Sequence, residues 1–255
     1  LSGGTVHQRP CRPDQGCAVK PYIAGVIPAR WGSSRFPGKP LADIKGKPMV
    51  VRVFEQARRC PILDTLLVAT DDPRIETACQ EAGIPVVMTA AALPSGSDRV
   101  HAALAGSEYD IAVNIQGDEP LLRPEDLAVL VGPLLSRFAE EAVATLVTPL
   151  ADAAAAQSPH IVKTVCDVSG RALYFSRSPI PAGAGPFLRH LGLYAFTRAA
   201  LARFVTLAPG ALELRERLEQ LRLLENGIPV WTSTVSEGGP AVDTPADLER
   251  VRLLF

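Results

Sequence analysis

The sequence predicts an α/β fold in which helices flank a mostly parallel sheet. From Tyr22 onward, short continuous apolar runs alternate with segments of helical period, a pattern typical of strands buried on both faces of a parallel sheet. Motifs rich in Gly, Pro and charged residues follow several of these runs directly, at the strand ends where open α/β sheets bind ligands. The runs predicted as strands are residues 23–27, 66–69, 86–88 and 111–115.

The elements between and after these strands support the same fold class. The segment after the first strand carries four apolar residues on one helical face: Val50, Val53, Phe54 and Ala57. Beyond an apolar strand at residues 143–147, several segments have the composition of strands, and we interpret residues of about 158–196 as an inserted β-rich lobe. Residues 21–255 are otherwise expected to form a single domain, and residues 1–20 a disordered or non-native leader.

Composition excludes several classes of protein. The 255 residues include 26 basic and 27 acidic side chains, and this net charge of -1 gives no global field for nucleic acid or an anionic membrane. The five cysteines are odd in number and lack paired spacing, which argues against a disulfide framework or structural zinc. No apolar run reaches the roughly 18 residues needed to cross a bilayer. We therefore expect a cytoplasmic protein that binds neither nucleic acid nor membrane.

The loop after the first strand, residues 28–40, predicts an anion site. It carries the cations Arg30, Arg35 and Lys39, and its glycines allow the backbone to approach an anion closely. Three cations in ten residues suit a polyphosphate better than a single carboxylate. The loop is not a P-loop, because Pro40 follows the lysine where Ser or Thr would contact Mg²⁺. A solvated basic loop tied to nearby acids is the alternative.

A second motif, Gln-Gly-Asp-Glu-Pro at residues 116–120, follows the strand at 111–115. Asp118 should therefore face the same crevice as the basic loop. One or two carboxylates, several waters and phosphate oxygens are the ligands that Mg²⁺ prefers, so Asp118 is a candidate metal ligand. A plain turn is the alternative, since Gly, Asp and Pro are usual turn formers.

Near the end of the chain, residues 242–247 predict a helix start. Thr244 is suited to the N-cap, Pro245 to the first helical position, and Asp247 completes a capping-box pattern. Asp243 has no part in this capping. It is therefore a candidate second metal ligand opposite Asp118.

Three further segments contain candidate binding residues. The loop at residues 93–99, with Ser95 and Arg99, could line a base or phosphate pocket, and capping of the next helix by Ser97 is the alternative. On a helical reading of residues 212–225, Leu214 joins the apolar stripe and Glu219 is partly buried and therefore partnered. His190 is expected to be a satisfied core or turn histidine more often than a catalytic base.

Taken together, these segments resemble the 3-deoxy-manno-octulosonate cytidylyltransferase (CMP-Kdo synthetase) family, which has the Rossmann-like nucleotide-diphospho-sugar transferase fold. The resemblance extends from about residue 23 to residue 255. Its motifs are residues 27–30, 36–41, 69–71, 95–99, 114–120, 174–177, 189–192, 218–222 and 242–245. The resemblance implies an enzyme that transfers CMP from CTP to the anomeric hydroxyl of Kdo, 3-deoxy-D-manno-octulosonate, for lipopolysaccharide biosynthesis.

The resemblance also implies roles for individual residues, a Mg²⁺ cofactor and a homodimer. In the family it resembles, the inserted lobe links the two subunits and contributes to sugar binding. The residues implied in catalysis are Arg30, Lys39, Asp118 and Asp243, of which Asp118 and Asp243 would hold the metal. The residues implied in nucleotide binding are Ala29, Arg30, Arg35, Lys39, Ser95, Arg99 and Gln116. The residues implied around the sugar are Arg177, His190, Tyr194, Glu219 and Gln220. Cytidylyl transfer to 8-amino-Kdo or another acidic sugar, and a catalytically silent nucleotide-binding protein on the same fold, are the alternatives.

Overall fold

The structure, a computed structural model, describes residues 20–32, 36–183 and 185–255. Its strands are β1 Ile23–Ala29, β2 Asp43–Ile44, β3 Lys47–Pro48, β4 Thr65–Thr70, β5 Val86–Met88, β6 Ile111–Asn114, β7 Val143–Leu150, β8 Lys163–Cys166, β9 Ala172–Ser176, β10 Phe187–Thr197 and β11 Val230–Thr234. Its helices are α1 Met49–Ala57, α2 Pro73–Glu81, α3 Gly96–Ala103, α4 Pro124–Val131, α5 Ala153–Ala156, α6 Arg198–Phe204, α7 Ala211–Glu216, α8 Leu221–Glu225 and α9 Pro245–Arg252. Short 3₁₀ turns lie at Lys39–Leu41 and Gly132–Leu134.

One large sheet organises the molecule, with the strand order β11-β7-β10-β6-β1-β4-β5. β1 lies at its centre and pairs in parallel with β4 and β6, and β4 pairs in parallel with β5. β10 runs antiparallel to both β6 and β7, whereas β11 is parallel to β7. The prediction of a mostly parallel sheet flanked by helices is therefore confirmed.

Burial explains why these segments form these elements. β1 and β6 are apolar runs, and each packs side chains into the clusters on both faces of the sheet. On one face α1 buries Val50, Val53, Phe54 and Ala57, which confirms the predicted apolar face of that helix. Because β1 and β6 are adjacent and parallel, the loops that follow them lie together at one edge of the sheet.

β8 and β9 lie outside the main strand path, and β10 connects them to it. The first residues of β10 pair with β8 as well as β7, and its last residues pair with β6. A register shift between Leu191 and Tyr194 interrupts the β10 to β7 ladder, and such bulges redirect neighbouring side chains. The separate lobe at about 158–196 stays a prediction. The predicted leader lies, apart from Lys20, outside the described residues.

The single helix assumed across residues 212–225 is wrong. α7 ends at Glu216, Arg217 adopts a left-handed conformation with φ 57°, and α8 begins only at Leu221. The break moves Leu214 out of the assumed apolar stripe, so that its side chain is 67% exposed. Elsewhere in the described part of the chain, every helix is too short or too polar to span a bilayer.

Candidate active site

A cavity of about 260 Å³ opens where β1 and β6 end. Its walls come from the loop after β1, the start of α3, the loop after β6 and the segment before α9. The lining residues are Pro28, Ala29, Arg30, Lys39, Pro40, Leu93, Ser95, Gly96, Arg99, Gln116, Gly117, Asp118 and Asp243. This first cavity therefore brings together all the described residues predicted to bind nucleotide or metal.

The loop after β1 folds back on itself before it reaches Lys39. The backbone N–H of Gly38 donates to the carbonyl of Trp31 at 3.2 Å, and Gly38 adopts φ 71°, which favours glycine. A Cβ at Gly38 would lie 2.8 Å from the Trp31 ring, so glycine is also required by space. Arg30 is exposed at the mouth of the cavity. Arg35 lies outside the described residues.

Lys39 lies between the two acidic residues predicted to bind metal. Its Nζ is 2.6 Å from Asp118 Oδ2 and 3.8 Å from Asp243 Oδ1, and it donates to the carbonyl of Val242 at 3.0 Å. The backbone N–H of Val242 donates in turn to the carbonyl of Asp118 at 2.8 Å. The expected proximity of Asp118 and Asp243 is therefore confirmed, although they are far apart in sequence.

The donor set of this cluster fits Mg²⁺. Two carboxylates converge on one cation, the Lys39 ammonium, at the edge of a cavity with room for phosphate. Mg²⁺ prefers few protein carboxylates and completes its shell with water and phosphate oxygens. No group of three or more His, Cys, Asp or Glu side chains suited to a metal occurs in the described ranges, which is compatible with such a sparse site. The ligand roles of Asp118 and Asp243 stay predictions.

The capping predicted next to Asp243 is confirmed. Thr244 caps α9, Pro245 occupies the first turn, and Asp247 completes the capping box. The Asp247 carboxylate also accepts from the backbone N–H of Asp243 at 3.1 Å. The helix start therefore fixes the backbone that carries the second carboxylate.

The loop after β6 passes very close to β1. A Cβ at Gly117 would lie 2.9 Å from the carbonyl oxygen of Pro28, so only glycine allows this approach. Gln116 is fixed by donation from its Nε2 to the carbonyl of Gly192 at 2.8 Å. Glu119 lines a different cavity with Arg123 and Arg189, and burial, together with Asp118, raises the pKa of Glu119 to about 8.

The start of α3 is capped by Ser95 and not by Ser97. Ser95 Oγ accepts from the backbone N–H of Asp98, because Ser95 and not Ser97 has the extended backbone of an N-cap. The alternative that assigned capping to Ser97 is therefore wrong. Arg99 lines the cavity but is already paired with Asp71 at 2.8 Å and is only 2% exposed. Asp71, which the sequence analysis left without a role, holds Arg99 in place.

A second cavity of about 380 Å³ adjoins the first and shares Gly96 and Gln116 with it. Its lining residues are Gly96, Ser97, Asn114, Gln116, His160, Ile161, Val162, Arg189, His190, Gly192, Tyr194, Leu218, Glu219 and Gln220. Four of the five residues predicted to surround the sugar therefore lie here. Arg177 does not line it in the described structure, and its guanidinium donates to the carbonyls of Pro159, Glu216 and Arg217.

Glu219 is half-buried and accepts from Ser97 Oγ at 2.7 Å, which confirms that it is partly buried and partnered. Burial raises the pKa of Glu219, while hydrogen bonds from Ser97 and Ser95 oppose that shift. The sequence predicts that Glu219 has a partner but does not indicate that the partner is Ser97. The two residues are 122 positions apart, so no local pattern could reveal the pair.

His190 is a buried, satisfied histidine, as expected. Its Nε2 is 2.9 Å from Thr145 Oγ1, and its ring contacts those of Phe175 and Tyr194. Burial lowers the pKa of His190 from 6.5 to about 3. Burial and the charge of Glu219 raise the pKa of Tyr194. The His190 and Tyr194 rings are therefore uncharged near pH 7. They contribute apolar ring surface to the lining of the second cavity.

The buried His190 predicts a pH-dependent contribution to stability. In the unfolded chain the imidazole takes a proton near its ordinary pKa of 6.5, whereas in the folded chain it does so only near 3. Between these values the unfolded state binds more protons, so the free energy of unfolding should rise with pH by up to about 1.4 kcal/mol per unit. Above the upper value this contribution should be constant.

Urea unfolding of the wild type and of His190→Gln between pH 4 and 8 tests this. Below pH 6.5, the free energy of unfolding of the variant should rise less steeply with pH than that of the wild type. Above pH 6.5, the two should depend on pH in the same way. His101→Gln, on α3, is the control for removal of a histidine outside this cluster. Equal slopes for wild type and His190→Gln would contradict the buried, neutral assignment.

Comparison with known proteins gives a consistent family. A family model described as "Cytidylyltransferase" matches residues 24–233. The 3-deoxy-manno-octulosonate cytidylyltransferase of Anaeromyxobacter dehalogenans is 47% identical over 241 residues, covering 92% of this chain and 98% of the relative. The protein of the same name from Nitratidesulfovibrio vulgaris is 49% identical over 236 residues, covering 88% and 92%.

A solved structure agrees with these relatives. The structure of a CMP:2-keto-3-deoxy-manno-octonic acid synthetase complexed with CTP superposes with a TM-score of 0.88. The two sequences are 45% identical, and the match covers 91% of this chain and 98% of the other. The similarity therefore extends over most of the chain.

Proposed function

The chain belongs to the 3-deoxy-manno-octulosonate cytidylyltransferase family, and we propose that it transfers CMP from CTP to the anomeric hydroxyl of Kdo, releasing pyrophosphate. One observation carries the proposal beyond family membership. A cavity lined by cations and two convergent carboxylates shares a wall with a second, polar cavity, so a nucleoside triphosphate and a sugar can be held side by side. The product is a sugar nucleotide of the kind consumed in lipopolysaccharide biosynthesis.

The first cavity is suited to the triphosphate. Arg30 and Lys39 line it and would supply positive charge to stabilise the leaving pyrophosphate, and Arg35 belongs to the same loop. Ala29, Ser95, Arg99 and Gln116 would contact the nucleotide. The anomeric hydroxyl attacks the α-phosphorus in line with the leaving pyrophosphate, so the protein has mainly to position two substrates and stabilise phosphate charge.

Asp118 and Asp243 would hold Mg²⁺ in this site. When bound, the ion neutralises phosphate charge and favours deprotonation of a coordinated hydroxyl. With the ion bound, Lys39 would no longer be needed to neutralise Asp118, which lies 2.6 Å from its Nζ in the structure, and its ammonium could bind phosphate oxygens. We assign no side chain of the first cavity as a general base, so the metal would assist the loss of the sugar hydroxyl proton.

The second cavity is suited to an acidic, hydroxyl-rich sugar. His190, Tyr194, Glu219 and Gln220 line it and would surround the Kdo. Arg177 lies behind this wall on the carbonyls of the α7 segment, and binding of the sugar carboxylate would require those hydrogen bonds to exchange. Residues of about 158–196, which include β8 and β9, would form the lobe through which two subunits make a homodimer.

The enzyme is expected to work in the cytoplasm, where CTP is made. The three described cysteines, Cys60, Cys79 and Cys166, are free thiols, which supports a reducing compartment. Burial raises the pKa of both Cys60 and Cys79, so these thiols are poor nucleophiles.

The first test is pyrophosphate release from CTP and Mg²⁺ in parallel reactions with Kdo, 8-amino-Kdo, a sialic acid or no sugar. Release strictly dependent on Kdo is the expected result. Release only with another acidic sugar would support cytidylyl transfer and contradict Kdo as the substrate. CTP binding without release in any reaction would indicate a silent nucleotide-binding protein. Analytical ultracentrifugation of the same sample tests the dimer.

A further inference from the structure

Two residues that line the second cavity each carry a buried polar atom with no hydrogen-bond partner among the described residues. These atoms are Asn114 Oδ1, an acceptor, and Gln220 Nε2, a donor. The two residues are only 3% and 5% exposed, and both line the cavity. Buried polar groups in folded proteins are nearly always hydrogen-bonded, so two orphan atoms need an explanation. A third orphan, Trp231 Nε1, lines neither cavity of the site.

Hydrogen bonds on the other side of Asn114 fix its amide orientation. Ser97 Oγ donates its one proton to Glu219 Oε1 at 2.7 Å, so towards Asn114 it can only accept. Asn114 Nδ2 donates to that oxygen at 3.4 Å. The acceptor atom Oδ1 is therefore the one left without a partner. This chain links the end of β6, the start of α3 and the turn before α8.

The two unpaired atoms are of complementary type, since one accepts and the other donates a hydrogen bond. A hydroxyl can both donate to Asn114 Oδ1 and accept from Gln220 Nε2. A carboxylate only accepts and would leave Asn114 Oδ1 unmatched beside the Glu219 carboxylate. An ammonium only donates and would leave Gln220 Nε2 unmatched.

We infer that Asn114 is a specificity-determining residue that, with Gln220, binds one hydroxyl group of the sugar substrate, and that Ser97 positions Asn114 for this contact. The inference rests on the proposed function and names the group of the substrate that the two side chains recognise, a sugar hydroxyl. A site built to hydrogen-bond a hydroxyl rejects an analogue that lacks it, because its own buried polar atoms are then left unpaired. The expected selection is therefore against sugars deoxygenated at one position.

Steady-state kinetics with Kdo and a set of its monodeoxy analogues tests the inference. Asn114→Ala and Gln220→Leu should each lower kcat/KM for Kdo about 10- to 100-fold and leave the KM for CTP within about threefold. The double variant should lose about as much as either single variant, because both remove the same contact. With the wild type, kcat/KM for one monodeoxy analogue should be lower than kcat/KM for Kdo by this factor. The substitutions should not lower kcat/KM for that analogue any further. Asn226→Ala, whose Nδ2 binds the carbonyl of Arg222, is the matched control.

A second measurement does not depend on turnover. In ¹⁵N-labelled wild type, the side-chain amide signals of Asn114 and Gln220, identified by their loss in the two variants, should both shift when Kdo is added. Full pyrophosphate release without these shifts, or additive losses with every analogue equally affected, would overturn the inference and leave the proposed function intact. Shifts caused only by a different acidic sugar would overturn the Kdo assignment and support the hydroxyl contact.

Discussion

Asp118→Asn is expected to reduce pyrophosphate release by at least about 10³-fold, because it removes charge from a carboxylate that would bind Mg²⁺ and that makes the shorter of the two ion pairs with Lys39. Asp118 lies in the loop after β6, with Lys39 Nζ 2.6 Å away and the Val242 backbone bound to its carbonyl. The amide keeps the size of the side chain but binds a hard divalent cation weakly. The loss should therefore appear in kcat and in the Mg²⁺ dependence.

The measurement is initial rate against Mg²⁺ concentration for wild type, Asp118→Asn and Asp243→Asn. Asp152→Asn, at the N-cap of α5 and exposed, is a control for loss of a carboxylate outside the site. Full activity in both Asp118→Ala and Asp243→Ala would eliminate the shared-metal assignment. Loss of activity without any change in Mg²⁺ dependence would assign Asp118 to the positioning of Lys39 alone.

The site could be predicted from the sequence where function depends on strand ends. Parallel strands of buried apolar residues must place their carboxyl ends at one edge, so the loops carrying Lys39 and Asp118 were expected to meet, and they do. Asp243 was identified by a different argument. Thr244 and Asp247 were accounted for by helix capping, and Asp243 alone was left for another role.

The parts that could not be predicted depend on contacts between distant segments. The left-handed Arg217 breaks a helix that the apolar spacing alone favours, and this places Glu219 and Gln220 in a turn facing the sugar cavity. Asn114 is the last residue of an apolar strand; its Nδ2 donates to Ser97, and its Oδ1 has no partner among the described residues. Hydrophobic period specifies which segments are buried and does not specify which polar atoms meet there.

Lys39→Met is expected to have opposite effects on metal binding and on catalysis. In the free protein the ammonium lies 2.6 Å from Asp118 and 3.8 Å from Asp243, and it is only 15% exposed, so solvent screens it weakly. At such distances two cations repel by several kcal/mol even at an effective dielectric constant of about 20, so Lys39 competes with Mg²⁺. Removing it should strengthen binding of Mn²⁺, a spectroscopic substitute, about tenfold without nucleotide.

The same substitution removes a cation that stabilises the leaving pyrophosphate, so kcat should fall about 10²- to 10³-fold. Electron paramagnetic resonance measures free Mn²⁺ during titration, and pyrophosphate release gives kcat; Lys47→Met, which removes a surface ion pair with Glu55, is the control. Weaker Mn²⁺ binding in Lys39→Met would mean that the lysine organises the carboxylates for the metal and does not compete with it. Tighter binding with lower kcat would mean that Lys39 competes with the metal for Asp118 and Asp243 when no nucleotide is bound, and stabilises phosphate charge during turnover.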